Sequence, residues 1–142
     1  MSKRERFLAG ERPDDVAFFL SESHVGDLDA LAEQGERVED GVLLVVEGDS
    51  GRGAFEAATG MDPMNFAGAA MGTEGRIDRD LAGGTCPGTE TGAHEIQFTF
   101  AFAEGQNQEV GGIYAEGDVI HAYAYCSCGT AFSEKWVVGD GD

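Results

Sequence analysis

Residues 119–129 read V-I-H-A-Y-A-Y-C-S-C-G and contain two of the chain's three cysteines, one of its three histidines and two of its three tyrosines. The β-branched and aromatic residues of this stretch favour a strand. Side chains on a strand alternate between its two faces. The alternation places His121, Tyr123 and Tyr125 on one face and both cysteines on the other. We therefore expect His121 to point away from the thiols.

The cysteines and one histidine form a candidate metal site. The C-S-C-G that ends the predicted strand resembles half of a zinc knuckle, although its spacing is C-x-C instead of C-x-x-C. Cys86 lies in a second glycine-flanked turn, T-C-P-G, and His94 follows eight residues later. Cys86, His94, Cys126 and Cys128 would complete the Cys₃His ligand set of a tetrahedral structural zinc.

Three other interpretations of the cysteines stay open. A cysteine is often a small buried hydrophobe. Cys86 would be able to form a disulfide with Cys126 or Cys128. A reactive thiol needs a lowered pKa, and no basic residue stands near these cysteines in the sequence. Catalysis by a thiolate is therefore the least supported interpretation, and we assign no catalytic residue.

The length and composition predict one globular domain over residues 1–142. The chain is 42% hydrophobic, and 142 residues suffice for a compact core. It contains no apolar run of membrane-spanning length, and M-S-K-R-E-R at its start is not the apolar core of a signal peptide. We expect a cytoplasmic protein that does not bind membranes, with flexible ends at 1–12 and 139–142.

Charge is the strongest global signal. There are 27 acidic and 9 basic residues, so the net charge is −18, and Lys3 and Lys135 are the chain's two lysines. The acids are spread throughout, and at low salt their repulsion opposes a compact state. Nucleic-acid binding is unfavourable because it requires neutralisation of phosphates. An acidic, lysine-poor surface of this kind is typical of halophilic proteins.

Three sequence segments carry a resemblance to a known family. They are E-R-P-D-D-V from Glu11, F-E-A-A-T-G-M-D from Phe55 and H-A-Y-A-Y-C-S-C-G from His121. In these segments, and over most of its length, the chain resembles a family of small haloarchaeal proteins of unknown function. The resemblance implies a halophilic cytoplasm but no activity.

The N-terminal half predicts strands at 16–20 and 42–46, after a short helix at 3–9. Residues 27–34 have helical spacing of apolar side chains. A strand, a helix and a strand in one sheet imply a right-handed parallel crossover.

The glycine-rich segment 48–60, G-D-S-G-R-G-A-F-E-A-A-T-G, follows the second strand. Backbone N–H groups at such a strand-to-helix turn can bind an anion. Ser50, Gly51 and Arg52 are therefore candidates for an anion or nucleotide site in the loop 48–54. The loop lacks the lysine of a Walker motif, and Ser50 as the N-cap of a helix over 50–59 is the plainer explanation.

The C-terminal half changes from helical to strand periodicity. Asp62 before Pro63 predicts a helix over 62–73, followed by one helical turn at 76–81 and a mobile loop at 83–92. From residue 96, phenylalanines at every second position predict a strand. A hairpin at 113–125 and a last strand at 132–138 complete the prediction.

These elements predict an α+β fold, a single domain with a mostly antiparallel sheet and helices packed on one face. His121, Tyr123 and Tyr125 would then form either an exposed aromatic surface that supports a homodimer or a second layer of core.

The favoured function is a non-catalytic binding or regulatory module, stabilised by zinc. One alternative is a small thiol- or metal-dependent enzyme with a site near Cys126 and Cys128 that includes His121 and Tyr123. The other is the anion or nucleotide binder described above.

Overall fold

The structure is a computed structural model. It describes residues 3–11, 14–21, 35–38, 41–78, 81, 83–87, 95–105, 109 and 117–138. The described residues form a single α+β domain with eight strands and three helices. The helices are α1 (Lys3–Leu8), α2 (Gly48–Thr59) and α3 (Pro63–Ala70).

Six strands form one antiparallel sheet. They are β1 (Asp15–Ser21), β2 (Glu36–Val38), β3 (Gly41–Glu47), β6 (Ile96–Glu104), β7 (Val119–Cys126) and β8 (Ala131–Val137). Their order is β2-β3-β1-β6-β7-β8. A separate two-stranded ribbon pairs β4 (Arg76–Ile77) with β5 (Gly84–Thr85). The predicted fold class, with its mostly antiparallel sheet, is confirmed.

The N-terminal strands do not form the predicted parallel crossover. β1 and β3 are antiparallel, with Leu20 opposite Val42 and Ser21 opposite Gly41. The direction of β3 is set by the short strand β2, which pairs with β3 in a hairpin. The chain therefore enters β3 at the end of the sheet where β1 finishes, and β3 runs antiparallel to β1. The predicted helix at 27–34 lies outside the described residues.

Helices α2 and α3 cover one face of the sheet, as predicted for these two segments. Phe55 of α2 is the centre of an aromatic cluster, with its ring centroid 5.0 Å from that of Phe100 and 5.8 Å from those of Phe18 and Phe66. Tyr123 of β7 belongs to the same core. Burial of these large rings against the sheet is a main source of stabilisation on this face.

The opposite face of the sheet is also buried. The core on this face includes Phe7 of α1, Phe132 and Trp136 of β8, and Ile77 of β4. Two buried faces explain why β1 is apolar at nearly every position, since a strand covered on both sides has no solvent-facing set of residues.

A bulge in β6 directs one side chain to the other face. Phe98 and Phe100 lie in the aromatic core with α2, as the alternation predicts. The register of β6 against β7 shifts between Ile96 and Phe98. Ile96 consequently joins the opposite core and lies beside Cys126.

Several predicted boundaries are wrong. Helix α2 begins at Gly48, and its N-cap is Glu47 instead of Ser50. The helical turn predicted at 76–81 begins with β4, and β5 occupies part of the loop predicted at 83–92. The hairpin that β7 forms is with β8, and residues 111–116 lie outside the described part of the chain. Among the described residues, no helix is long and apolar enough to span a membrane.

Candidate metal centre

The turn between β7 and β8 presents two of the three cysteines. The backbone N–H of Cys126 donates to the carbonyl of Thr130 at 2.9 Å, and the N–H of Gly129 donates to the carbonyl of Cys126 at 2.9 Å. Gly129 has φ of +94°, a conformation that glycine adopts without the steric cost paid by other residues. A glycine with positive φ after a tight turn is typical of a three-residue hairpin loop. The sequence C-S-C-G-T therefore places Cys128 at the exposed tip and Cys126 at its buried base.

The β4–β5 ribbon brings the third cysteine to this turn. Cys86 directly follows β5, and its Sγ lies 3.7 Å from the Sγ of Cys128. The Sγ atoms of Cys86, Cys126 and Cys128 all lie within 4.8 Å of one another. All three cysteines are among the described residues, and none of them forms a disulfide. The structure thus brings together the three thiols that the sequence assigned to one site.

A buried hydrogen bond anchors the segment that carries Cys86. The hydroxyl of Thr99, on β6, donates to the carbonyl of Leu81 at 2.8 Å. Leu81 is fully buried and has φ of +68°, a region that costs a residue with a Cβ of order 1–3 kcal/mol. Contacts from the surrounding fold must hold Leu81 in this conformation. The sequence does not reveal this role of Thr99, because a threonine within an alternating strand carries no signal of it.

Hydrogen bonds at the turn stabilise the thiolate of Cys128. Its Sγ lies 3.2 Å from the Oγ1 of Thr130. The hydroxyl and the backbone N–H of Thr130 lower the pKa of Cys128 from 9.0 to about 6, with smaller contributions from Cys126 and Cys86. From the absence of a nearby basic residue in the sequence, we expected no lowering of the cysteine pKa. That expectation is wrong, because hydrogen bonds alone can favour the charged form.

The turn is also tied to the start of β6. The backbone N–H of Ser127 donates to the carbonyl of Glu95 at 2.8 Å, and the N–H of Glu95 donates to the Oγ of Ser127 at 3.1 Å. His94, the predicted fourth ligand, precedes Glu95 in the sequence but lies outside the described residues.

His121 lies on the other face of the sheet, as predicted. Its ring stacks on Phe102 with centroids 5.1 Å apart, and its Nε2 is 2.7 Å from the Oε1 of Glu104. His121 and Tyr123 line a cleft of about 460 Å³ that no cysteine lines. The predicted enzyme site, which combined the thiols with His121 and Tyr123, is thus divided between two faces.

The predicted aromatic surface is only partly accessible. Tyr123 is 5% exposed and packs against Phe66 of α3. Tyr125 is half-buried and stacks on Phe98 with centroids 5.1 Å apart. For these two tyrosines the interpretation as a second layer of core fits the structure better than that of an exposed dimer surface.

The predicted anion site has an acidic group at its centre. The carboxylate of Glu47 accepts hydrogen bonds from the backbone N–H groups of Asp49 and Ser50, each at 3.3 Å. These bonds lower the pKa of Glu47. Arg52 pairs with Asp49 at 3.3 Å. A second anion at Ser50, Gly51 and Arg52 would be repelled by Glu47 and Asp49, since like charges oppose binding in one site.

Comparison with known proteins gives a family but no described activity. No curated protein and no solved structure matches the chain. The model of a family of unknown function, DUF5807, matches residues 35–139, which include all three cysteines and the strands that position them. The chain therefore belongs to the DUF5807 family.

Proposed function

We propose that Cys86, Cys126 and Cys128 bind a zinc ion, and that this ion stabilises a non-catalytic binding or regulatory module. The observation that carries the proposal is the distance of 3.7 Å between the Sγ atoms of Cys86 and Cys128. Tetrahedral zinc with Zn–S bonds of about 2.3 Å requires sulfur atoms about 3.8 Å apart. This pair already has the separation that one tetrahedral edge requires.

The environment of the thiols favours a soft metal ion. Zinc binds thiolates, so the site must lose protons when the metal enters. Hydrogen bonds from Thr130 already favour the deprotonated form of Cys128. The buried sulfur of Cys126 lies beside Cys86 and Cys128, and a metal ion would compensate the charge of a thiolate at this buried position.

A metal ion here would add a link between the β4–β5 ribbon and the β7–β8 hairpin, in addition to the hydrogen bonds that join residues 73–75 to Ser133 of β8. Cys86 follows the β4–β5 ribbon, whereas Cys126 and Cys128 belong to the β7–β8 hairpin. Cys126 lies 40 positions after Cys86 in the sequence. A metal ion that binds both segments only when they are folded together holds this loop closed and stabilises the native state by mass action. This geometry supports a structural role for the metal.

The metal content of the purified protein tests the proposal. Untagged protein prepared in molar potassium chloride without chelators should contain close to one zinc per chain by plasma mass spectrometry. A strong chelator should remove the zinc and lower the melting temperature, because a ligand that binds only the native state stabilises it. Absence of zinc, together with unchanged melting after zinc is added, would contradict the proposal.

Variants separate a specific site from adventitious binding. Cys86→Ser and Cys128→Ser should each lose zinc, whereas Met64→Ser, which removes an exposed sulfur elsewhere, should keep it. His94→Ala should weaken zinc binding if His94 is the fourth ligand that the sequence predicts. His24→Ala is its matched control and should bind zinc like the wild type.

Cys128 also supports a second candidate function, that of a reactive thiol. It is exposed, and its pKa is lowered to about 6, so much of it is a thiolate at neutral pH. Thiolates are the nucleophilic form of cysteine. Under this alternative, a small alkylating reagent should modify Cys128 rapidly in the protein as purified. Under the zinc proposal, modification should be slow until a chelator removes the metal.

A further inference from the structure

We propose that the cleft beside His121 binds a small zwitterion with an apolar side chain, of the chemical class of a free aromatic amino acid. The cleft lies on the opposite face of the sheet from the thiols, and the inference does not depend on metal binding. Its volume of about 460 Å³ is within the range of about 300–1,000 Å³ that is usual for small-molecule sites.

The cleft exists because α3 covers only part of this sheet face. Phe66 of α3 packs on Tyr123, and the chain then leaves the helix and runs along the outer edge of β8. The N–H of Gly75 donates to the carbonyl of Ser133, and the N–H of Ser133 donates to the carbonyl of Thr73. These bonds hold Glu74 and Gly75 beside β8, where they line the cleft together with residues of β7 and β8.

One side of the cleft is suited to a carboxylate. Lys135 lies directly opposite His121 in the pairing of β7 with β8, so both side chains emerge on the same face close together. Lys135 is one of two lysines in a chain with a net charge of −18. The imidazole of His121 is held in place by Glu104 and by stacking on Phe102. The ammonium group of Lys135 can donate hydrogen bonds to a carboxylate, and the stacked imidazole of His121, whose Nε2 is engaged by Glu104, forms the adjoining surface.

The segment after α3 is suited to an ammonium group. Glu74 is exposed and lines the cleft. Glu134 lines it too, but its carboxylate accepts the backbone N–H of Ile77 at 2.7 Å. We therefore assign the ammonium group of the ligand to Glu74.

Two apolar side chains complete the lining. Met71 is 67% exposed, and Tyr123, which is 5% exposed, borders the cleft with the small part of its side chain that α3 leaves uncovered. A thioether adapts to ligand shape and makes favourable contacts with aromatic rings. Acidic, basic and apolar groups thus surround one space, and a zwitterion with an aromatic side chain complements all three.

Chemical-shift titration of ¹⁵N-labelled full-length protein tests the inference with three probes. The probes are L-phenylalanine, 3-phenylpropionate, which lacks the ammonium group, and 2-phenylethylamine, which lacks the carboxylate. Phenylalanine should shift the amides of residues 73–75, 121–123 and 133–135 saturably. It should bind about two- to fivefold more tightly than either analogue, the gain expected of one partly exposed ion pair.

Two variants test whether Lys135 binds the carboxylate of the ligand and Glu74 its ammonium group. Lys135→Gln should remove the advantage of phenylalanine over phenylethylamine but keep its advantage over phenylpropionate. Glu74→Gln should do the reverse. Both side chains are exposed, so the folded spectrum and the zinc content should be unchanged. The inference fails if no probe gives saturable shifts in the cleft, if an analogue binds as tightly as phenylalanine, or if both variants weaken all three probes equally.

Discussion

At the scale of single residues, Thr99 holds the backbone at Leu81, five residues before Cys86. Its side chain is fully buried, and its hydroxyl donates to the carbonyl of Leu81 at 2.8 Å. Thr99→Val keeps the shape but leaves that carbonyl without its donor, which costs about 1–3 kcal/mol for a buried group. We expect urea unfolding to show a loss of this size. We also expect weaker zinc binding, because the backbone before Cys86 is less well held.

Thr99→Ser is the matched control for this prediction. It keeps the hydroxyl and removes a methyl group, so it should lose about 1 kcal/mol of stability while binding zinc like the wild type. The prediction is contradicted if Thr99→Val binds zinc normally and its free energy of unfolding is within error of the wild type. The hydrogen bond to Leu81 would then contribute neither to stability nor to the zinc site.

The sequence reveals the thiols of the candidate site but not their surroundings. C-S-C-G and T-C-P-G identified Cys86, Cys126 and Cys128 because cysteine chemistry and glycine turns are local signals. Thr130 was missed because its effect on the pKa of Cys128 depends on the geometry of the turn. Thr99 was missed because the carbonyl that it binds lies 18 residues away. Contacts between distant segments leave no periodic trace in the chain.

At the scale of elements, substitution of two glycines of α2 by alanine should have opposite effects on stability. A Cβ on Gly51 would overlap the Cγ2 of Val16 and lie 2.8 Å from the Cγ2 of Val46, whereas a Cβ on Gly53 would have open space around it. Glycine inside a helix costs roughly 0.5–1 kcal/mol relative to alanine. Gly53→Ala should therefore stabilise the protein by about that amount. Gly51→Ala should destabilise it by about 1–3 kcal/mol because it overpacks the contact with β1 and β3.

Urea denaturation of the two variants measures both effects against one wild type. The pair controls for helix propensity, since the same substitution is made twice in one helix. If Gly51→Ala were as stable as Gly53→Ala, α2 would not be seated closely on the sheet, and the small residue at Gly51 would have no packing role.

The elements were predictable where the signal was local. The buried strands at 16–20 and 42–46 and the helix after Asp62-Pro63 were found from apolar runs and a helix-start motif. The direction of β1 against β3 was not found, because the three-residue strand β2 that reverses the chain is too short to have a pattern. The bulge in β6 was missed because the apolar residues of this strand alternate without a break in the sequence from Ile96 to Phe102. The sequence therefore does not show that the bulge turns Ile96 to the other face.

At the scale of the whole molecule, a net charge of −18 on 142 residues should make stability depend on salt. The screening length falls from about 10 Å at 0.1 M salt to about 3 Å at 1 M. Repulsion among the acidic groups opposes the compact state and is screened over this range. We expect the melting temperature, followed by circular dichroism, to rise steeply with potassium chloride at neutral pH and to level off towards about 1 M.

The same series of melting temperatures against salt concentration, repeated near the isoelectric point, separates charge screening from a general effect of salt on apolar surfaces. At a pH close to 4.2 the net charge is near zero, so little repulsion remains to be screened, and most of the steep rise should disappear. Salting-out of apolar groups acts at either pH and grows steadily with concentration. An equal gain in melting temperature at both pH values would show that salt stabilises the protein by favouring the burial of apolar groups. The charge of −18 would then give no reason to expect adaptation to high salt. A gain confined to neutral pH would make the dispersed carboxylates themselves the reason that the fold needs salt.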